Sequence, residues 1–351
     1  MSSVADCVDV VIGGDTHSQF HQLEIAGPTA VVIATTQVPN TEAGHARALG
    51  WIAEHAAGLR LVVGLEGTRS YGIGLARVLT DAGHRVVEVE QPSRKNRRGK
   101  GKSDPIDAHH AVRSVLAMDP EKLPVMRADG DREALRILLG GYQEIVGSST
   151  ARLNTLRALL RTGQDSDRVL AEGNDTLAWL TQIASRRGRS TDTREHAVRR
   201  AEARRLALAC RDAHHDRATY RQQIAALVET MAPGITTQHG VGPISAAQLL
   251  LAFSHPGRCR NDAAFAALTG TSPIPASSGK TGQRHRLNRG GDRQANRALH
   301  TIALTRMRSC PETQAYVTRR LAEGKTHREI RRCLKRYIAR QQYRYLTTAM
   351  A

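Results

Sequence analysis

Four acidic side chains have the types and spacing for metal chemistry. Asp104 and Asp107 lie three residues apart in Lys102-Ser-Asp-Pro-Ile-Asp-Ala108, and Asp15 and Glu66 each sit where an apolar run gives way to a turn containing glycine or threonine. If Pro105 opens a helix, where its missing N–H costs nothing, Asp104 is the N-cap and Asp107 follows on nearly the same face. The same pattern also fits a plain capping box, Asp15 after Gly13-Gly14 fits a turn, and Glu66 before Gly67 fits a surface acid. Together the four carboxylates could converge on one metal site, since ionised carboxylates are hard oxygen ligands. A phosphate loop at Gly13-Gly14 is set aside, since no Gly-x-Gly-x-x-Gly follows.

The elements that must position these acids can be read from the apolar pattern. Val8 to Asp15 reads as a buried strand, and Gln22 to Ile25 and Ala30 to Gln37 read as two more in an antiparallel meander. Thr41 to Ala57 has helical spacing, Leu61 to Glu66 is a continuous apolar strand, Ile73 to Ala82 is helical and Arg85 to Val89 is a strand. Three sequential strands, then helix, strand, helix, strand and a helix bearing Asp107, is the element order of an RNase H-like domain with a mixed sheet. In such a sheet Asp15 ends the first strand and Glu66 the fourth, with the Asp104 helix closing over both.

The charge balance selects the partner. With 51 Lys+Arg against 33 Asp+Glu, the 351-residue chain carries a formal +18, which points to a polyanion. Only 3% of residues are aromatic, so phosphate contact is expected to outweigh base stacking. Arg94, Lys95, Arg97, Arg98, Lys100 and Lys102 form an acid-free run that ends at the candidate ligands and is assigned to phosphate binding, against the alternative of a solvated loop. The five cysteines are scattered without a Cys-x-x-Cys pair and read as reduced thiols, with His255 and Cys259 a poor basis for zinc. Neither a signal peptide nor a membrane span is evident, so no membrane partner and a cytoplasmic, nucleoid-associated location are expected.

Beyond the first domain the pattern turns helical. Asp131 to Arg161 and Arg194 to Thr230 each carry an apolar stripe, and the polar stretch from Thr162 to Ser190 separates them, as in a hairpin or coiled-coil-like arm. Arg199, Arg200, Arg204 and Arg205 put a basic belt on the second of these helices. Gly240-Val-Gly-Pro243 leads into an apolar helix to Phe253, which fits a phosphate-holding helix-hairpin-helix turn or an ordinary connection. A small-residue loop, Gly270-Thr-Ser-Pro-Ile-Pro-Ala-Ser-Ser-Gly279, precedes Arg284, Arg286 and Arg289, candidates for steadying phosphate charge. Helices are expected from Ala295 to Met307 and through the basic tail from Arg319 to Arg344. The fold class is therefore α/β plus α, divided into 8–125, a helical arm 131–230 for dimerisation, and a mostly helical domain 231–345.

Asp15 in Ile-Gly-Gly-Asp-Thr, Glu66 in Leu-Glu-Gly-Thr and the Lys-Ser-Asp-Pro-Ile-Asp-Ala stretch resemble the RuvC-like DEDD domain of the insertion sequence 110 family of transposases. Gly240-Val-Gly-Pro, Phe265-Ala-Ala-Leu-Thr-Gly-Thr-Ser-Pro, Ser278-Gly279 and Asn296-Arg-Ala-Leu299 resemble the family's C-terminal transposase domain, in the same order. Two departures stand out: Gly14, where a larger apolar residue is commoner, and Ser272-Pro273, where Thr-Pro is commoner. The resemblance implies a recombinase that joins donor and target DNA under the guidance of a structured bridge RNA, as a dimer or tetramer. It also implies that the four acids hold magnesium, as two ions about 3.5 to 4 Å apart that clamp the entering and leaving oxygens of a phosphodiester, and that Ser278 is the nucleophile, with Ser277 adjacent. A metal-dependent nuclease or junction resolvase would have no need of Ser278, and a non-catalytic nucleic-acid-binding protein would tolerate loss of the four acids.

Overall fold

The computed structural model describes residues 3–89, 104–124, 126, 130–188, 190, 192–275, 285–286, 288 and 290–350. Its valine-rich stretches become the strands of one mixed sheet: β1 (Val10–Thr16), β2 (Phe20–Ala26) and β3 (Val32–Pro39), then α1 (Glu42–Ala56), β4 (Leu61–Glu66), α2 (Ile73–Asp81), β5 (Arg85–Val89) and α3 (Asp104–Leu116). The strand order is β3-β2-β1-β4-β5. β1, β2 and β3 are joined as an antiparallel meander, whereas β4 lies parallel to β1 and β5 parallel to β4. This arrangement is consistent with an RNase H-like domain. Its central strands are buried on both faces, which is why they read as continuous apolar runs and not as alternation.

The strand period of two sorts the side chains between two helical layers. Val10, Ile12, Val63 and Leu65 pack with Ile52 of α1 and Leu75 and Leu79 of α2. Val11, Val62, Val87 and Val89 pack on the opposite face with Ala111, Val112 and Val115 of α3. α3 lies unusually close to the sheet. A Cβ on Gly13 would sit 2.3 Å from the Ala108 carbonyl oxygen, and one on Gly64 2.3 Å from Val115 Cγ2. Gly13 and Gly64 are paired across β1 and β4, so together they form a flat seat for α3. Gly13 thus lies inside a strand and not in a turn, a role for which a missing side chain is the requirement.

The remaining described chain is helical apart from one short strand pair: α4 (Gly130–Arg161), α5 (Asp165–Ala171), α6 (Leu177–Ala184), α7 (Arg194–Met231), α8 (Pro243–Phe253), α9 (Asp262–Leu268), β6 (Ile274–Pro275), β7 (His285–Arg286), α10 (Arg293–Ser309), α11 (Pro311–Ala322) and α12 (His327–Ala349). The chain divides into two units, Met1–Glu133 with Ser254–Arg260, and Ala134–Phe253 with Asn261–Ala351. The polar stretch between the long helices is not a plain break. α5 and α6 fold there and bury Ala171, Trp179, Leu180 and Ile183 against Leu156 and Leu160 of α4 and Leu206 and Cys210 of α7. The basic tail is two helices and not one, since α11 ends at Ala322 and Thr326 caps a new start with Glu329. Among the described residues no helix is long and apolar enough to cross a membrane.

Candidate carboxylate site and C-terminal strand pair

β1 and β4 end side by side, and the last recorded pair in their parallel register is Gly14 with Leu65. Asp15 and Glu66 are the next residue on each strand. By alternation they share a face with Gly13 and Gly64, the face that α3 covers. Thr16 fixes this end by donating its hydroxyl to the Glu66 carbonyl at 2.7 Å. Both acids are buried, Asp15 at 6% and Glu66 at 2% relative exposure. Two carboxylates withdrawn from water on one face are costly unless a cation or donors meet them. A histidine lies near each: His17 Nε2 is 3.1 Å from Asp15 Oδ2, and His110 Nδ1 is 3.8 Å from Glu66 Oε1.

α3 carries the other two acids in its first turn. It begins at Asp104, one residue earlier than a Pro105 start would give, a difference within the usual fraying of helix ends. Asp107 lies one turn in, directly before the buried Ala108 that rests on Gly13. The next residues tie the helix to the sheet: His109 Nδ1 lies 2.6 Å from Oε1 of buried Glu24, the residue paired with Gly13 on β2. Asp15 and Glu66 offer hard oxygen on one covered face, which fits Mg2+ in kind. Among the described residues, however, no three His, Cys, Asp or Glu side chains are grouped closely enough to hold an ion, and the side chain of Asp104 lies outside the described residues.

In the second unit, β6 and β7 pair antiparallel, Ile274 with Arg286 and Pro275 with His285, at the two ends of the serine-containing segment. The approach to β6 is anchored from α10, where Asn296 Nδ2 donates to the Thr269 carbonyl at 2.7 Å. Residues 233–318 match the family model described as "Transposase IS116/IS110/IS902 family", and residues 12–163 match DEDD_Tnp_IS110, described as "Transposase". The chain belongs to the IS110 family of transposases. The transposase is also 26% identical over 366 residues to the "Insertion element IS110 uncharacterized 43.6 kDa protein" of Streptomyces coelicolor, covering 91% of this chain and 89% of that one.

Ser277 and Ser278 of this transposase, with Arg94, Lys95, Arg97, Arg98, Lys100, Lys102, Arg284 and Arg289, lie outside the described residues, and Arg286 is described in its backbone alone. The basic belt on α7 is taken up in packing. Arg199 binds Glu195 and the Leu159 carbonyl, Arg200 binds Asp192, Arg204 binds the Ala184 carbonyl and Arg205 binds Glu202. These arginines fasten α7 to α4, to the end of α6 and to its own first turns. Sequence reasoning missed the histidines at the acids and the glycine seat under α3. The seat had a signal, since Gly13 and Gly64 interrupt runs of otherwise bulky apolar residues; His17 and His110 had none beyond proximity in sequence to an acid.

Proposed function

We propose that this chain cuts and rejoins DNA strands for an insertion sequence at a composite site, with Asp15, Glu66, Asp104 and Asp107 holding magnesium as two ions and Ser278 acting as the covalent nucleophile. The observation that carries the reading is the placement of Asp15 and Glu66 as buried acids on one face, at the ends of adjacent parallel strands. They lie under the helix whose first turn contains Asp104 and Asp107. Family membership supports the same chemistry. Magnesium bound there would supply Lewis-acid stabilisation of charge on the phosphate oxygens.

The rest falls to the chain's own residues. Ser278 Oγ forms a bond to phosphorus as the bond from phosphorus to the strand's oxygen breaks, and the serine proton leaves with that oxygen as a hydroxyl. A phosphodiester is exchanged for a phosphoserine diester, so a DNA hydroxyl can reverse the step on a new strand without ATP. Arg94, Lys95, Arg97, Arg98, Lys100 and Lys102, together with Arg284, Arg286 and Arg289, bind the phosphates of donor DNA, target DNA and a structured bridge RNA. Dimers or tetramers would let Ser278 of one chain act with the acids of another.

Denaturing gels with labelled DNA test the reading. A protein–DNA adduct should form in the wild type, vanish in Ser278→Ala and persist in Ser277→Ala, and strand cleavage should be abolished in Glu66→Gln and Asp104→Asn with DNA retention intact. Strand joining by Ser278→Ala would overturn the covalent step, and full activity of either acid variant would overturn the carboxylate site.

A further inference from the structure

Within the second unit a groove of about 760 Å3 opens at the foot of β6. One wall is the stretch Gly270–Pro273 together with Asn296 and His300 of α10; the other is the start of α12 and the turn before it. Seven cations line it: Arg320, Lys325, Arg328, Arg331, Arg332, Lys335 and Arg336. Arg320 pairs with Glu323, and among the described residues no carboxylate forms an ion pair with the other six. Glu329, the one acid in the lining, is held by the Thr326 amide at 2.9 Å and its hydroxyl at 2.8 Å, as the cap of α12. Lys335 is the most telling of the six. It is half-buried, donates to Asn296 Oδ1 at 2.5 Å, and its ammonium is pushed below the usual lysine range by burial. His300 opposite is held low by burial and by the charges of Lys335 and Arg331, as expected where positive charge is left uncompensated.

The same helix supplies its own control. Further along α12, where it packs on α9, Arg340 and Arg344 reach Asp262 at 2.8 and 3.3 Å. Cations that serve packing on this helix have an acid; those facing the groove do not. From Arg328 to Arg336 the helix advances about 12 Å at 1.5 Å per residue, a length that spans about three phosphates of one duplex strand. Guanidinium forks match phosphate oxygens in pairs, which a lone carboxylate on a peptide matches less well along a repeating track.

We infer that this groove is a phosphodiester track that seats a nucleic-acid backbone at the foot of the segment carrying Ser277 and Ser278. The inference rests on the strand-exchange reading above and names where that reaction's second unit grips its substrate. DNA and RNA share the chemistry recognised, so the test carries both.

The full chain is titrated in chelator, where no cleavage can occur, into labelled single-stranded DNA, duplex DNA and an RNA hairpin between 50 and 200 mM salt. The variant Arg328→Gln/Arg331→Gln/Arg332→Gln should raise Kd at least tenfold at the lowest salt. It should also flatten the slope of log K against log salt by about 2 to 3, at 0.7 to 0.9 per phosphate contact. The single variant Arg332→Gln, at an exposed position, should lose about one such increment. Its fold is verified by an unchanged melting temperature, so the inference remains testable if the triple variant fails to fold. A loss confined to DNA or to RNA supports the track and assigns its occupant. Unchanged Kd and slope with all three probes overturns it, as does polyglutamate competing as well as DNA. Because the readout is binding without cleavage, inactivity of the acid variants or of Ser278→Ala does not enter the result.

Discussion

α7 and α12 both carry runs of arginine, and the two helices use them in opposite ways. On α7 the arginines of the belt close onto acids and carbonyls of the arm, and Arg200 with Asp192 is nearly withdrawn from water, the side chains 9% and 5% exposed. On the first half of α12 the cations face a groove whose one acid is occupied as a helix cap. Net charge along a sequence is therefore a poor guide to a binding surface. The informative quantity is charge that the fold leaves without a partner, because paired arginines hold structure while unpaired ones wait for an anion.

The contrast is broken most severely at Arg200. Arg200→Ala takes its guanidinium from the shielded Asp192 carboxylate, and breaking one side of a buried pair costs about 3 to 5 kcal/mol. Urea denaturation should show that loss, and removing Asp192 as well should recover part of it. A loss below about 1 kcal/mol, the range of exposed pairs, would mean that the pair is surface decoration and that α7 is as available to nucleic acid as α12.

A smaller loss is expected at Arg157 on α4, which donates to the carbonyls of Ala171 and Gly173 at 2.8 and 2.7 Å and lies over the Trp179 ring at 5.3 Å. Arg157→Ala should cost about 2 kcal/mol, the scale of a charged hydrogen bond in a partly shielded site. The transition should stay cooperative, because the apolar contacts of Trp179 with α4 and α7 remain. Arg157→Lys should recover little, since one ammonium cannot serve both carbonyls and the ring.

What the sequence made legible follows from the range of the forces involved. The sheet could be read from its valine-rich runs, and the ends of β1 and β4 located Asp15 and Glu66 before any coordinates, because strand burial is written locally in residue type. α4 and α7 were legible from their apolar stripes. α5 and α6 were not: each is too short to repeat its period, and Gly163, Gly173 and Gly188 mimic the breaks of a loop. The pairing of the α7 belt was not legible, because Asp192, Leu159 and Ala184 become its partners only once the chain has folded back. The glycine seat under α3 was missed although Gly13 and Gly64 interrupt two predicted strands, since the space they leave has no meaning until the helix that needs it is in place.

Lys335 should reverse the sign seen on α7. Its ammonium sits half-buried among like charges with an amide and no acid, so Lys335→Met should leave stability within about 1 kcal/mol of the wild type or slightly raise it. Nucleic-acid affinity should fall nonetheless. Thermal melts at low ionic strength are the sensitive measurement, because like-charge repulsion along Arg331, Arg332 and Arg336 is least screened there. A loss of several kcal/mol would mean that Lys335 is a structural cation after all, and the groove would then join α7 on the packing side of the comparison.

The smallest effect belongs to Arg205, whose bidentate contacts with Glu202, 2.8 and 2.6 Å, are among the shortest on the belt. Both side chains are well exposed and lie within one turn of the same helix. Water screens the attraction and both side chains lose rotamer freedom to make it, so short geometry brings little stability. Arg205→Ala should leave the urea midpoint unresolved from the wild type. Its salt dependence of DNA binding should also be unchanged, because Glu202 already neutralises the guanidinium. This second measurement is the stricter one. If the slope of log K against log salt falls by close to one contact, Arg205 is exchanging Glu202 for a phosphate when DNA arrives, and a partnered arginine is then no proof against a binding role.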